Sequence, residues 1–211
     1  MRTEQLVALL ARQAGPAPSR VVQARLAWAV GAGALTSAGV AVIALGAIAS
    51  VAGIGAPLAI KFGYVVSLLF GAVWLAERAS RPGTNLRRAA LAVALVVAVM
   101  AALCASVLAL APMQSRLDLV VGHSWASCPW HVAELSAPAF VAVVWAMRGL
   151  APTRPRAAGF AAGLLAGTLG AVGYALHCPE LSPVFVLVWY TLGILIPAGV
   201  GAVLGPWLLR W

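Results

Sequence analysis

Residues 26 to 48 read LAWAVGAGALTSAGVAVIALGAI, a run without a single charge. A helix rises about 1.5 Å per residue, so a run of this length crosses a hydrocarbon core about 30 Å thick. No charge separates Arg25 from Lys61, and the stretch Ser50-Val51-Ala52-Gly53-Ile54-Gly55-Ala56-Pro57 divides that interval. The pattern predicts a first spanning helix over 26–48 and a second over 58–76, with Lys61 near its outer end, where a long stem can snorkel to the headgroups.

Outward from there the same reading repeats. Arg78, Arg81, Arg87 and Arg88 surround Pro82-Gly83 as a basic turn, and a third helix is predicted over 89–111. Residues 112 to 133 form a loop with Arg116, Asp118, His123, Cys128 and His131. The fourth helix, 133–148, is short of apolar residues and spans only with Glu134 at the interface. Arg148 to Arg156 makes another basic turn, a fifth helix covers 157–176, His177 to Pro183 is a tight polar turn, and a sixth helix covers 184–209.

Composition agrees with this division. Of 211 residues, 63% are apolar and 9% charged, far below the roughly 25% charged residues of a soluble domain. The expected fold is an all-α membrane protein: a tail over 1–25, then a bundle of six transmembrane helices over 26–211. The tail reads as a short amphipathic helix, with Leu6, Val7, Leu9 and Leu10 as its apolar face before Gly15-Pro16-Ala17-Pro18. It is not read as a cleavable leader, because the first apolar run begins near residue 26 and is long enough to span.

Lys and Arg set the orientation. Twelve of the fourteen fall in the tail, the two basic turns and the C-terminal end, leaving Lys61 and Arg116 on the other side. By the positive-inside rule both termini are cytoplasmic. The formal charge of +9 is then a topology signal, since direct nucleic-acid binding needs arginines gathered on one reading surface.

The helices carry few polar groups, which counts against an ion-coupled transporter. Pro197 reads as a structural kink. Small residues recur as Gly159, Gly163, Gly167 in the fifth helix and as Gly193, Gly201, Gly205 in the sixth, a spacing that lets backbones approach closely, either between these two helices within the chain or across a homodimer seam. Trp74, Trp125, Trp130, Trp207 and Trp211 fall near helix ends, as interfacial belts do.

Cysteines differ in kind. Cys104 lies inside the third helix and reads as packing. Cys128 and Cys178 fall in the two outer loops, each followed by proline, in an oxidising compartment. They are open to four readings: a redox-responsive pair, an inert disulfide, metal-responsive thiols with His131 and His177 as partners, or unpaired residues. Neither loop contains Cys-x-x-Cys, and no Gly-x-Ser-x-Gly, His-Glu-x-x-His or P-loop occurs, so neither an enzyme nor a cofactor is expected. The rivals are a membrane thiol oxidoreductase and a soft-metal transporter.

The C-terminal half carries a more specific signal. Ala151-Pro152-Thr153-Arg154-Pro155, the run 161–167, Tyr174-Ala175-Leu176-His177-Cys178-Pro179-Glu180, Trp189-Tyr190-Thr191-Leu192-Gly193 and Leu208-Leu209-Arg210-Trp211 together resemble the NrsF family of bacterial inner-membrane proteins, negative regulators of sigma F. The resemblance implies an anti-sigma factor with six spanning helices. Its cytoplasmic parts would hold an extracytoplasmic-function (ECF) sigma factor, and its paired outer cysteines, here Cys128 and Cys178, would sense oxidative or heavy-metal stress.

Overall fold

In hydrocarbon no water satisfies backbone N–H and C=O groups, so each charge-free run must close its own hydrogen bonds as a helix. The computed structural model describes residues 3–13, 20–46, 55–150 and 152–210. In chain order its helices are α1 (Thr3–Gln13), α2 (Val21–Leu45), α3 (Gly55–Ala79), α4 (Arg87–Leu110), α5 (Arg116–Val121), α6 (Cys128–Arg148), α7 (Pro155–Ala175) and α8 (Pro183–Leu208). Six of them, α2, α3, α4, α6, α7 and α8, are long and apolar enough to cross a membrane. The described residues contain no strand. Gly15 to Pro18, the end of the first run at Ile48, the dividing stretch over 50–54 and Trp211 lie outside the described residues.

Helix starts depart from the charge pattern in one direction, toward the N-terminus. α2 begins at Val21 and carries Arg25 within it, and α3 reaches back to Gly55. A charge ends an apolar run but not a helix, because a long side chain can extend to water while its backbone stays bonded. The largest shift is at α6, expected from residue 133 and found from Cys128. Pro129 falls in its first turn, where a missing N–H costs nothing. Cys128 and His131 are therefore helical residues, not loop residues. The remaining loop is itself part helical, with a 3₁₀ turn at Met113–Ser115 followed by α5.

Packing centres on α7. Its most apolar stretch is 83% buried, against 11% for α4, which packs at the edge on α3 and the start of α8. The glycines explain the difference. Gly159 lies on the backbone of Gly201 and Gly205, Gly163 on Pro197 and Ala198, Gly170 on Val132 and Ser136, and Gly173 on Ser37 and Ala38. One helix thus brings its backbone against α8, α6 and α2, the close approach that small residues permit without a hydrophobic drive between helices. This stripe is occupied within the chain. Gly193 departs from the expected pairing of the last two helices, since it faces Val132 and Pro129 of α6.

Polar side chains tie the helices where packing cannot. Ser37 Oγ donates to the Leu135 carbonyl at 2.8 Å, fixing α2 on α6. At the end bearing the basic turns, Gln23 Nε2 donates to Glu77 Oε1 at 3.1 Å, and the same carboxylate pairs with Arg81 at 2.7 Å. At the other end Ser182 caps α8: its Oγ accepts from Phe185 N–H at 3.5 Å and donates to the Leu119 carbonyl at 2.7 Å. Ser182→Ala should lower the melting temperature of the purified chain by about 2–4 °C, the equivalent of one lost cap of about 1 kcal/mol. An unchanged melting curve would show that the cap contributes nothing.

Candidate functional site

The turn that ends α7 decides where Cys178 goes. N–H groups of Leu176, His177 and Cys178 fold back onto the carbonyls of Gly173 at 3.2 Å and Tyr174 at 3.0 Å and 3.0 Å. This places Cys178 beside Cys128, which starts α6. Both are fully buried, and both thiols are free. Sequence reading placed them in two outer loops; the structure brings them together, but under a cover of aromatic rings and not at the surface.

That cover comes from two tyrosines. Tyr174 and Tyr190 have ring centres 5.7 Å apart, tilted by 47°, and both stand next to Cys178. Tyr190 ends the segment Val186–Tyr190, where α8 widens to π-helical bonding. Such a bulge shifts the register of one turn and often re-aims a side chain. The Tyr190 hydroxyl is buried against the Cys178 thiol.

Lys61 completes the cluster and corrects the expectation of a snorkelling end residue. It sits about two turns into α3, is only 1% exposed, and turns inward. Its Nζ donates to the carbonyls of Cys178 at 2.6 Å and Glu180 at 3.3 Å, and stands 5.5 Å from the centre of the Tyr190 ring. A buried ammonium needs such acceptors, because water is not available to it. The Glu180 carboxylate in turn accepts from the backbone N–H of His123 at 2.7 Å, fastening the loop before α6 to the same turn. Four spanning helices, α3, α6, α7 and α8, therefore converge on the two thiols.

The histidines read as metal partners are engaged elsewhere. His131 Nδ1 lies 3.3 Å from Glu134 Oε2, with its ring 5.8 Å from that of Tyr174, and His177 Nδ1 donates to the Gly46 carbonyl at 2.9 Å. Among the described residues, no three His, Cys, Asp or Glu side chains form a group that could hold a metal ion. What the geometry offers is a closed dithiol pocket gripped by a cation, with one sulfur from the start of α6 and the other from the turn after α7.

A family model described as negative regulator of sigma F, NrsF, matches residues 10–211. The chain belongs to the NrsF family. Two NrsF relatives align over all of both chains: the probable anti-sigma-F factor of Azospira oryzae, 44% identical over 216 residues, and the anti-sigma-F factor of Caulobacter vibrioides, 37% identical over 221. No solved structure matches the chain.

For this NrsF chain, sequence reasoning singled out the two cysteines but did not place Lys61, Tyr174 and Tyr190 as their neighbours. One signal was available for Lys61. An ionisable residue within a spanning segment marks a functional site by default, but that signal was read as an end effect. Tyr174 and Tyr190 lie in two of the runs that carry the family resemblance, but no local pattern ties them to the cysteines, and the placement of Tyr190 depends on the π-helical turn of α8.

Proposed function

We propose that this chain is a membrane-embedded anti-sigma factor that holds a sigma-F-type, ECF sigma factor at the cytoplasmic face and releases it when Cys128 and Cys178 change state. The observation that carries this reading is full-length similarity to two proteins named as anti-sigma-F factors. The role is regulatory and not catalytic.

Orientation follows from the arginines. Arg78, Arg81, Arg87 and Arg88 lie at or beside one end of α3 and α4, and Arg148, Arg154 and Arg156 at the matching end of α6 and α7. The positive-inside rule assigns that end, with both chain termini, to the cytoplasm of an inner-membrane protein, and the cysteines to the periplasmic side. Leu6, Val7 and Leu9 of α1 are exposed, an apolar strip of the kind that docks in a partner's groove. The basic turns offer further contact.

Signal transfer is mechanical in this reading. Joining the thiols as a disulfide, with two protons and two electrons lost to an external two-electron oxidant, draws Cys178 toward α6. Capture of a soft metal by both sulfurs does the same. Either change loads the turn that Lys61 holds from α3, and α3 runs to the cytoplasmic basic turn. Co-purification of tagged protein from membranes before and after an oxidant or cadmium pulse, with thiol labelling in parallel, tests the reading. Loss of a bound sigma factor together with loss of labelling is expected, and Cys128→Ser and Cys178→Ser should each abolish the release. Release that persists in both variants removes the cysteines from the mechanism, and a membrane fraction that never holds a sigma factor removes the anti-sigma reading itself.

A further inference from the structure

At the end carrying the basic turns, α2 and α6 diverge and leave a groove of about 740 Å³, within the ~300–1,000 Å³ range of small-ligand sites. Its two walls are laid out alike. From the end inward, α2 presents Arg25, then Trp28, with Ala29 beside it and Ala32 deeper; antiparallel α6 presents Arg148, then Trp145, with Ala146 beside it and Ala142 deeper. Each cation therefore sits about 4.5 Å along the axis outside an indole, and each indole outside an apolar floor.

Neither guanidinium is matched by the protein. Among the described residues, Arg25 and Arg148 have no hydrogen-bond or ion-pair partner, and no carboxylate lines the groove. The Arg25 guanidinium lies directly on Gly149, the residue after Arg148, where any side chain would strike it, so both arginines stand at the mouth of the groove. Two like charges kept together without a carboxylate call for an anion. The indoles of Trp28 and Trp145 are 81% and 78% exposed, so they flank the groove and do not fill it.

We propose that this groove binds one anionic glycerophospholipid, its phosphate between Arg25 and Arg148, its ester region at the level of the two indoles, and an acyl chain over the alanines. Cation, amphipathic ring and apolar floor follow one another in the order of headgroup, glycerol ester and acyl chain. Tryptophan belongs at that middle level of a bilayer, and basic pockets between spanning helices on the cytoplasmic side suit anionic headgroups. A soluble anion has no use for the apolar floor. A zwitterionic lipid gains little from the paired cations. The site is independent of any sigma factor and of the cysteines at the opposite end.

The test uses the full chain, purified in mild detergent and stripped of lipid, titrated with dioleoyl phosphatidylglycerol or dioleoyl phosphatidylcholine and read by native mass spectrometry. Phosphatidylglycerol should bind about 25-fold more tightly, about fivefold for each arginine. Arg25→Gln with Arg148→Gln should bring the two lipids to near parity. Ala142→Phe, which fills the floor, should remove the tight site while both arginines remain. Equal affinity of the wild-type chain for both lipids overturns the proposal, as does a preference that survives the double arginine replacement. A second copy cross-linked across Trp28 and Trp145 and not displaced by phosphatidylglycerol also overturns it, by making the groove a dimer seam. If Ala142→Phe does not fold, the arginine pair still decides.

Discussion

Gly163→Leu will destabilise the folded chain by about 3 kcal/mol or more and lower its melting temperature by about 6–12 °C, at the upper end of what overpacking costs in a close-packed core. The reason is that no side chain stands in the way of the new one. A Cβ at Gly163 would meet the Pro197 carbonyl oxygen, with the carbonyl carbon at 2.6 Å and Cα of Ala198 at 2.7 Å. Backbone cannot rotate aside as a rotamer does, so α7 and α8 must separate. Separation would be felt along the seam, where Gly159 and Gly201 lie on each other and Gly167 lies on Ile194. Gly199 of α8 is the control. A Cβ there meets nothing within 4 Å, and Gly199→Leu should stay within about 0.5 kcal/mol of wild type. Thermal unfolding of the two purified variants in one detergent separates the cases, and equal melting temperatures would show that α7 and α8 are not in contact as described.

The glycines of the α7–α8 seam also show what the sequence could and could not reveal. Four-residue spacing marks Gly163 and Gly201 as a surface where a backbone can approach, and the expected partner, the neighbouring last helix, is the one found. Gly193 has the same spacing and a different partner, because facing depends on the rotation of α8 after its π-helical turn, and a local widening of hydrogen bonds leaves no mark in composition. The six spanning helices were legible because hydropathy over about 20 residues is a sum that single residues barely change. Their ends were less so. The start of α6 was missed by five residues because Cys128-Pro129-Trp130-His131 reads as a polar loop, although proline is at home in a first helical turn. At the site, the sequence singled out Cys128 and Cys178 but left four readings open, and only the family resemblance implied a pair. Lys61 was misread because its acceptors lie 117 and 119 residues away, beyond the reach of any local pattern.

Lys61→Met should loosen the cysteine pocket more than it destabilises the fold. Methionine keeps an unbranched stem but donates no hydrogen bond, so the carbonyls of Cys178 and Glu180 lose the ammonium that now binds both. Leaving buried acceptors unpaired costs about 1–3 kcal/mol each. Against this, the variant no longer holds a charge out of water, a gain that can cancel much of the loss. Global stability is therefore expected to move little. The local balance is different, because the charge is anchored on α3 while the carbonyls sit on the turn. With one charge-assisted bond of about 1.5–3 kcal/mol gone, the turn opens about ten- to a hundredfold more often. Alkylation of Cys178 by N-ethylmaleimide in the purified chain should rise by that factor, since both thiols are fully buried until the turn moves. Cys104, buried on α4, serves as the internal reference and should label at its wild-type rate. A general rise at all three cysteines would mean that the bundle as a whole has loosened. An unchanged Cys178 rate would mean that the turn is held by its bonds to Gly173 and Tyr174 and by the Glu180 carboxylate on His123, leaving α3 without a grip on the thiols.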